Sequence, residues 1–357
     1  MNQQIRFCES FDGTRIAYAL TGQGPPLVRA PHWFTHLEHD WRTPAMIPWV
    51  EELPRRYTLV RFDQRGTGLS DRDVGDVSFD AQVRDLEAVA NAAGLECFAL
   101  LGLSQGAAYA IAYVDRHPDR VTHLIIYGGH ARGISKRGMP PDLNPTETLV
   151  KLIEIGWGSD DASFRQVFTT QFMPDASLEA IRAFNKHMPL TTSAQTAARI
   201  FRMQSTIDVQ EQASRIKCPT LVVHARGDRR VPFEEGRIIA KLVAGSRFIA
   251  LESNNHLLMQ NESAWRELLA ATAEFYPPGP AARIASAFSK LTAREVEILE
   301  RIAQGLDNAQ IAAHLELSEK TVRNHITHIF DKIGAEKRPQ AIVLARQHGL
   351  GQQSRDS

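Results

Sequence analysis

Cysteine is scarce in this sequence, long apolar runs are missing, and neither sign of charge predominates. The 357 residues include three cysteines, Cys8, Cys97 and Cys218, whose odd number and wide spacing exclude a disulfide framework and show no metal-binding pattern. Because they lie mostly inside apolar runs, we expect buried thiols in a reducing compartment. A membrane span needs roughly 18–20 uninterrupted apolar residues. No run in this sequence approaches that length, so we predict no contact with a membrane.

The overall charge excludes a whole-molecule attraction to nucleic acid or anionic lipid. The 41 basic residues balance the 41 acidic ones, so any contact with DNA must come from a local patch. The start of the chain lacks the charged and then apolar layout of a signal peptide, which predicts a cytoplasmic protein. No nucleotide, metal or flavin motif is present in the sequence, and we expect no cofactor.

A proline-rich segment predicts a domain boundary. Residues 276–282 read YPPGPAA, and three prolines with a glycine continue neither a helix nor a sheet. With about 150 residues per domain as a guide, we predict a first domain at 1–276, a linker at 277–288 and a second domain at 289–350.

The first domain alternates short apolar runs with amphipathic segments. A hairpin is predicted around the dipeptide Asp12-Gly13. Further runs predict strands at 26–30, 58–62, 97–101, 123–127, 220–224 and 247–251, with helices at 80–93, 105–116 and 257–275. Continuous apolar runs between helices are typical of a doubly wound, mostly parallel sheet that is covered on both faces, so the predicted fold class is α/β.

The segment from about 131 to 213 interrupts that alternation. It holds helix formers and several aromatic residues but no comparable strand. We predict a helical cap over the carboxyl edge of the sheet, which is where open α/β sheets bind ligands. The aromatic residues of this segment also fit an ordinary core, so none of them is assigned to a ligand.

The pentapeptide Gly102-Leu103-Ser104-Gln105-Gly106 follows a predicted strand and precedes a predicted helix. In that context the G-x-S-x-G pattern predicts a tight turn that holds the serine at the sheet edge in a strained conformation. A serine hydroxyl is a poor nucleophile at neutral pH, and it needs a base that a third group orients.

Two later loops supply an acid and a base in the expected chain order. Asp228 follows the strand that ends at His224, and His256 follows the strand that ends at Leu251. Ser104, Asp228 and His256 are therefore the candidate catalytic triad. Taken singly, Asp228 also fits a helix-capping aspartate and His256 a surface histidine, but order, spacing and position at strand ends favour the triad.

An oxyanion hole needs two backbone N–H donors, which we expect from Gln105 and Trp33. Together these features resemble the α/β-hydrolase superfamily over about residues 1–276, including the turn 63–71 (DQRGTGLSD), whose charged residues we interpret as structural. The resemblance implies that Ser104 attacks, that His256 acts as general base and that the acid orients it. Many members have glycine where this chain has Trp33, so the indole narrows or shapes the pocket.

The second domain has the pattern of a small all-α unit. Thr292 and Glu295 predict a capping box that opens a first helix, and Gly305 closes it. A short helix is predicted at 308–315, and after a three-residue turn a longer helix is predicted at 318–333. Two helices joined by such a turn, the second with a polar and basic face, indicate a helix-turn-helix.

This stretch resembles the LuxR-type helix-turn-helix family over about residues 289–350. The matching motifs are LTxRE at 291–295, GxxNxxIA at 305–312, LSxxTVxxH at 317–325 and KIG at 332–334. The resemblance implies base-facing positions at Arg323, Asn324 and Thr327, and phosphate-facing positions at Lys320, Thr321 and His325. Arginine forks onto guanine and asparagine onto adenine in the major groove. Many members carry lysine where this chain has Thr327, so we expect a different operator.

The last helix, predicted at about 339–348, either packs on the unit or pairs with a second copy. Because the domain is weakly basic, we expect a homodimer to be needed for binding to double-stranded DNA at cellular salt.

A hydrolase-like domain fused to a DNA reader predicts a one-component transcriptional regulator. In this hypothesis a small hydrophobic ester, lactone or related molecule binds between cap and sheet, and the triad either holds it or hydrolyses it. The alternative is a serine hydrolase whose carboxyl-terminal domain only tethers it to DNA. A complete triad does not establish turnover, since the same fold serves enzymes and receptors.

Overall fold

The computed structural model describes residues 3–138, 140, 142, 144–279, 284, 287, 288 and 290–351. Internal contacts divide the chain into two compact units, one made by Met1–Pro54 and Thr58–Pro277 and the other mainly by Pro278–Ser357. The predicted linker at 277–288 lies partly outside the described residues.

The first unit is built on a sheet that has eight strands within the described residues. They are β1 (Gln4–Glu9), β2 (Arg15–Thr21), β3 (Pro26–Ala30), β4 (Thr58–Phe62), β5 (Phe98–Leu103), β6 (Val121–Tyr127), β7 (Thr220–Ala225) and β8 (Arg247–Leu251). The strand order is β1-β2-β4-β3-β5-β6-β7-β8. Strands β1 and β2 form the predicted hairpin, β2 is antiparallel to β4, and the remaining pairs are parallel. The predicted α/β fold class is confirmed.

The helices of the first unit cover the sheet and form the segment between β6 and β7. They are α1 (Ile47–Glu51), α2 (Phe79–Ala92), α3 (Gly106–Arg116), α4 (Thr146–Gly156), α5 (Ser163–Phe172), α6 (Leu178–Thr191), α7 (Ala194–Ser205), α8 (Gln210–Arg215), α9 (Phe233–Leu242) and α10 (Ser263–Phe275). All six residues of β5 are buried, as a central strand covered on both faces requires.

The helix predicted from residue 257 begins only at Ser263, so that boundary was wrong. The preceding loop is held by the Glu262 carboxylate, whose oxygens accept from the Met259 N–H at 2.6 Å and from Asn255 Nδ2 at 2.9 Å. These side-chain bonds give the backbone an alternative to a helical turn, which an apolar pattern does not reveal.

Hydrogen bonds tie the cap helices α4–α7 to loops at the edge of the sheet. The Gly68 N–H donates to the Thr191 carbonyl at 2.7 Å, and the Thr192 hydroxyl donates to the Gly66 carbonyl at 2.6 Å. The turn at 63–71 has the structural role that its sequence predicted. The buried Asp63 carboxylate accepts from Thr35 Oγ1 and from the N–H groups of Leu37 and Leu69.

Close packing of α3 against β5 sets the shape of the turn between them. A Cβ atom on Gly102 would lie 2.6 Å from the Ala107 Cα, and one on Gly106 would lie 2.8 Å from the Pro31 carbonyl oxygen. Ser104, between the two glycines, has a φ of 56°. A non-glycine residue rarely adopts this left-handed conformation, whose cost of about 1–3 kcal/mol the surrounding packing must offset.

The second unit contains four helices among its described residues: α11 (Ala293–Ala303), α12 (Asn308–Leu315), α13 (Glu319–Ile333) and α14 (Arg338–Gln347). The predicted capping box of Thr292 and Glu295 is present, and Ser318 caps α13 by accepting from the Thr321 N–H. The helices enclose a core that includes Ile298, Leu299, Ile311, Val322, Ile326 and Ile329.

The three cysteines are free thiols, with Cys8 and Cys218 partly buried and Cys97 exposed. The expectation of buried thiols was wrong for Cys97, because this residue lies just before β5 begins at Phe98 and outside the covered part of the sheet. Within the described residues, no helix combines the length and apolar character that crossing a bilayer requires.

We predict that Gly102→Ala lowers the free energy of unfolding of the first unit by about 1–3 kcal/mol, because the new Cβ overpacks against the backbone of α3. Urea denaturation followed by tryptophan fluorescence measures this unit, since the five tryptophans lie at positions 33 to 265. Gly75→Ala is the matched control because a Cβ there meets nothing within 4 Å. Equal midpoints for the two variants would contradict the packing argument.

We predict that Glu295→Ala destabilises the second unit by about 1–2 kcal/mol, since it removes both half of a capping box and an ion pair. Lys332 Nζ lies 2.7 Å from both Glu295 carboxylate oxygens. The hydrogen bond from Lys332, followed by that from the Thr292 N–H, lowers the pKa of Glu295 to about 2. This stabilisation is therefore present above pH 4.5 and is lost as pH falls towards 2.

Amide hydrogen exchange of residues 293–303 in the full-length protein measures this effect. Glu336→Ala, at an exposed glutamate of the same unit, is the control and leaves the exchange rates unchanged. Identical protection in the two variants at pH 7 would exclude the proposed stabilisation.

Candidate functional site

Ser104 lies at the carboxyl end of β5, in the turn that leads into α3. The residue is 7 % exposed, and its N–H donates to the Tyr127 carbonyl at 2.9 Å. The fold therefore places this serine at the edge of the sheet where the neighbouring strands β6 and β7 also end. The left-handed backbone conformation at Ser104 is the one that a nucleophile elbow requires.

Asp228 and His256 meet in the loops that follow β7 and β8. His256 Nδ1 donates to Asp228 Oδ2 at 2.6 Å, and both side chains are buried. Because a carboxylate only accepts, the proton of a neutral His256 is on Nδ1, which leaves Nε2 as the basic nitrogen. Asp228 thus holds the imidazole in the tautomer that a general base needs.

The Asp228 carboxylate is also anchored by its own loop. Oδ1 accepts from the N–H groups of Arg230 and Val231, each at 2.8 Å. Burial by itself raises the pKa of this carboxyl, but its interactions with His256 and His224 outweigh burial and hold the pKa below its ordinary value of 3.8. Asp228 is therefore ionised at neutral pH.

The loop after β6 lies close both to the His256 ring and to the backbone of Ser104. A Cβ on Gly128 would lie 3.1 Å from His256 Cε1, and one on Gly129 would lie 3.4 Å from the Ser104 carbonyl oxygen. His256 Nε2 is buried and forms no hydrogen bond with a described residue. The structure thus joins His256 to Asp228, and His256 and Ser104 both lie beside the same two-glycine loop. A loose serine–histidine pair is common before substrate binds.

The two predicted oxyanion donors, Trp33 and Gln105, both line the cavity that contains Ser104. Among the described residues, the N–H groups of Trp33 and Gln105 find no acceptor, while the Trp33 carbonyl accepts from Gln64 Nε2 at 3.0 Å. Gln105 is the residue that precedes α3, so its N–H belongs to the positive end of that helix. Unpaired N–H groups at these two positions are what an oxyanion hole requires, and their role stays a prediction.

The Trp33 indole is the centre of an aromatic cluster contributed largely by the cap. Its ring centroid lies 5.2 Å from that of Phe172, 5.7 Å from that of Phe168 and 6.1 Å from that of Phe201. The cavity that these rings leave beside Ser104 has a volume of about 40 Å³. Small-molecule sites usually measure about 300–1,000 Å³, so this cavity is much smaller than a typical ligand site.

Sequence reasoning missed two residues of this region. His224, at the end of β7, donates from Nε2 to the Val231 carbonyl at 2.9 Å and lies 3.4 Å from Asp228 Oδ2, so it holds the acid loop. Arg230 places its guanidinium over the rings of the aromatic cluster. An Asp-Arg-Arg sequence in a loop gives no sign of which arginine turns inward, and no pattern could have found them.

The candidate DNA-reading face lies on α13. Lys320, Arg323, Asn324 and Thr327 are exposed, whereas Thr321 and His325 are partly buried. The Thr321 hydroxyl lies 2.8 Å from Ser318 Oγ at the start of the helix, and Thr327 Oγ1 donates to the Arg323 carbonyl at 3.2 Å. The predicted base-facing residues therefore share one accessible face, and their contacts with DNA stay a prediction. No cluster of residues suited to a metal ion occurs in the part of the chain that the structure describes.

Two family matches cover the two units. Residues 35–262 match the family described as alpha/beta hydrolase fold, and residues 289–345 match the family described as bacterial regulatory proteins, luxR family. The first match spans most of the chain, and the second contains all of α11, α12 and α13.

Individual proteins resemble one unit or the other. The AB hydrolase superfamily protein YisY of Bacillus subtilis is 26% identical over 238 residues, which cover 66% of this chain and 86% of YisY. The transcriptional regulatory protein YdfI of Bacillus subtilis is 42% identical over 62 residues, 17% of this chain and 29% of YdfI.

Among solved structures, an esterase from Exiguobacterium antarcticum superposes with a TM-score of 0.64 at 22% identity, covering 75% of this chain and 98% of the esterase, which shows a shared fold. The chain belongs to the alpha/beta hydrolase fold family, and it carries a LuxR-type helix-turn-helix after its hydrolase-fold domain.

Proposed function

We propose that this protein is a one-component transcriptional regulator whose hydrolase-fold domain binds, and through Ser104 hydrolyses, a small ester- or lactone-like molecule. Binding or acylation alters how the LuxR-type unit binds DNA. The observation that carries the proposal is that one chain holds both a serine site with an oriented histidine and a helix-turn-helix with an exposed polar and basic face. The fusion of these two families itself suggests a regulator.

The chemistry at Ser104 follows from the roles of its neighbours. The serine oxygen bonds to the ester carbonyl carbon as its proton passes to His256 Nε2, and the N–H groups of Trp33 and Gln105 stabilise the oxyanion. The bond to the alkoxy oxygen then breaks, and His256 gives its proton to the leaving alcohol. Water attacks the acyl-serine by the same route, releasing the acid and restoring Ser104.

Ligand entry is coupled to movement of the cap. The cavity of about 40 Å³ beside Ser104 is closed by Trp33, Phe201 and their neighbours, so a bound molecule must select a conformation with these rings displaced. A ligand that binds only the open form changes the population of that form, which is the requirement for a switch. We further propose that the second unit binds its operator as a homodimer, since one weakly basic unit makes few phosphate contacts.

We predict that Asp228→Asn lowers kcat for a p-nitrophenyl ester by about 10³–10⁴-fold, because the amide no longer selects the imidazole tautomer with a basic Nε2. The release of p-nitrophenol at pH 7.5 measures this effect. Asp160→Asn makes the same chemical change at an exposed position and leaves the rate unchanged. Equal rates for wild type and Asp228→Asn would refute the triad.

We predict that Arg323→Ala lowers the preference for operator over unrelated DNA by about 10- to 100-fold, because one bidentate base contact is lost. Fluorescence anisotropy with DNA from upstream of the protein's own gene measures the ratio of the two affinities. Arg301→Ala removes the same charge from α11 and keeps the ratio. An unchanged ratio in Arg323→Ala would remove this residue from the reading face.

The link between the two units is tested with the same DNA and a serine-reactive organophosphate, diethyl p-nitrophenyl phosphate. A coupling of ordinary size changes the DNA affinity of the modified wild type by about 5- to 150-fold, while Ser104→Ala does not respond. Hydrolysis of esters with no change in DNA affinity would favour the alternative, a serine hydrolase that its second unit only tethers to DNA.

A further inference from the structure

The wall of the cavity beside Ser104 is rich in hydrogen-bond donors and holds two cations. Its polar lining includes Arg230, Arg137, His130, Gln105 and Gln204, and none of the described residues that line it carries a carboxylate. These donors would destabilise a complex with a purely apolar acyl group, because each buried donor that lacks a hydrogen-bond partner costs about 1–3 kcal/mol of free energy.

Arg230 is the cation of this wall that has no ion-pair partner among the described residues. Its guanidinium lies 5.3 Å from the ring centroid of Trp33 and 5.5 Å from those of Phe172 and Phe201. Within the described residues, its side chain forms no ion pair and donates no hydrogen bond. Burial, with the nearby charge of Arg137, lowers the pKa of Arg230 to about 10, which leaves it charged at neutral pH.

The second cation, Arg137, is already committed to the protein. It lies 3.9 Å from the Glu235 carboxylate and donates from Nε to the Arg132 carbonyl at 3.4 Å. The neighbouring Asp228 carboxylate is likewise occupied by His256 and by two backbone N–H groups. Arg230 therefore faces the cavity with unused N–H donors, held in place by three aromatic faces and by its own N–H on Asp228.

Two buried side chains beside Arg230 also lack partners. Gln105 is 3 % exposed and its Nε2 has no hydrogen bond, and His130 is 7 % exposed and its Nδ1 has none, among the described residues. Burial, together with Arg137 and Arg230, keeps the pKa of His130 well below its ordinary value, so this ring is neutral and one of its nitrogens carries a proton. Donors from Arg230 and Gln105 thus face the cavity that contains Ser104, and the neutral His130 ring lines the same cavity.

We propose that this cavity is an anion subsite in which Arg230 binds a carboxylate on the ligand, so that the molecules recognised at Ser104 are esters or lactones with a free carboxylate. The inference rests on the proposed function, since it names the substrate class of the same site. Arginine pairs with a carboxylate through two parallel N–H···O bonds, and its planar guanidinium also stacks on aromatic faces, which keeps it oriented. A neutral ester of equal length leaves Arg230 without a partner.

The test compares two esters of equal length, mono-p-nitrophenyl glutarate and p-nitrophenyl valerate, on the full-length protein. The wild type has a higher kcat/KM for the glutarate monoester, and Arg230→Gln lowers the ratio of the two values by about 10- to 100-fold. Arg230→Lys keeps the charge and restores part of the preference. Arg229→Gln, at the exposed neighbouring arginine, is the control and keeps the wild-type ratio.

The outcomes separate this inference from the proposed function. If both esters are hydrolysed without preference, or if Arg230→Gln lowers both by the same factor, the subsite is refuted while the hydrolytic function stands. If neither ester is hydrolysed, the hydrolytic function fails, and calorimetric titration with glutarate decides the subsite. Glutarate binding that weakens about 10-fold or more in Arg230→Gln supports the subsite, and no binding to the wild type overturns it.

Discussion

The buried Asp228 carboxylate is the interaction on which the first unit's site depends. One of its oxygens holds His256 at 2.6 Å, and the other fixes the backbone of Arg230 and Val231. A carboxylate buried without partners would lose its proton only at a large cost, but three hydrogen-bond donors keep this one ionised. The same group thus orients the base and aims Arg230 at the aromatic cluster, so that chemistry and recognition share one anchor.

The sheet supplies this anchor with its geometry. Parallel strands end at the same edge, so the loops after β5, β6, β7 and β8 bring together residues as far apart as 104 and 256. Close contact between β5 and α3 then imposes the left-handed conformation on Ser104. The strain is offset by the packing of a central strand and its helix, both almost fully buried.

The cap closes this site with apolar contacts rather than with ion pairs. Rings from α5 and α7 pack on Trp33, and only a small cavity is left. Aromatic packing of this kind is reversible, because displaced rings exchange one set of apolar contacts for those of a ligand. In the proposed regulator, this exchange of contacts provides the free-energy difference between the ligand-free and the ligand-bound state of the first unit. The helix-turn-helix unit determines which DNA sequence is bound.

Local patterns alone determined much of this protein. Apolar runs located the strands, G-x-S-x-G after a strand located Ser104, and capping residues such as Thr292 and Ser318 located helices of the second unit, because each depends on neighbours in sequence. The predicted start of α10 was wrong because the Glu262 carboxylate binds the backbone of the preceding loop.

Tertiary structure alone decided that Arg230 turns inward while Arg229 stays exposed, and that His224 supports the acid loop. Such contacts join residues from separate elements, and no local pattern encodes the direction in which a loop side chain points.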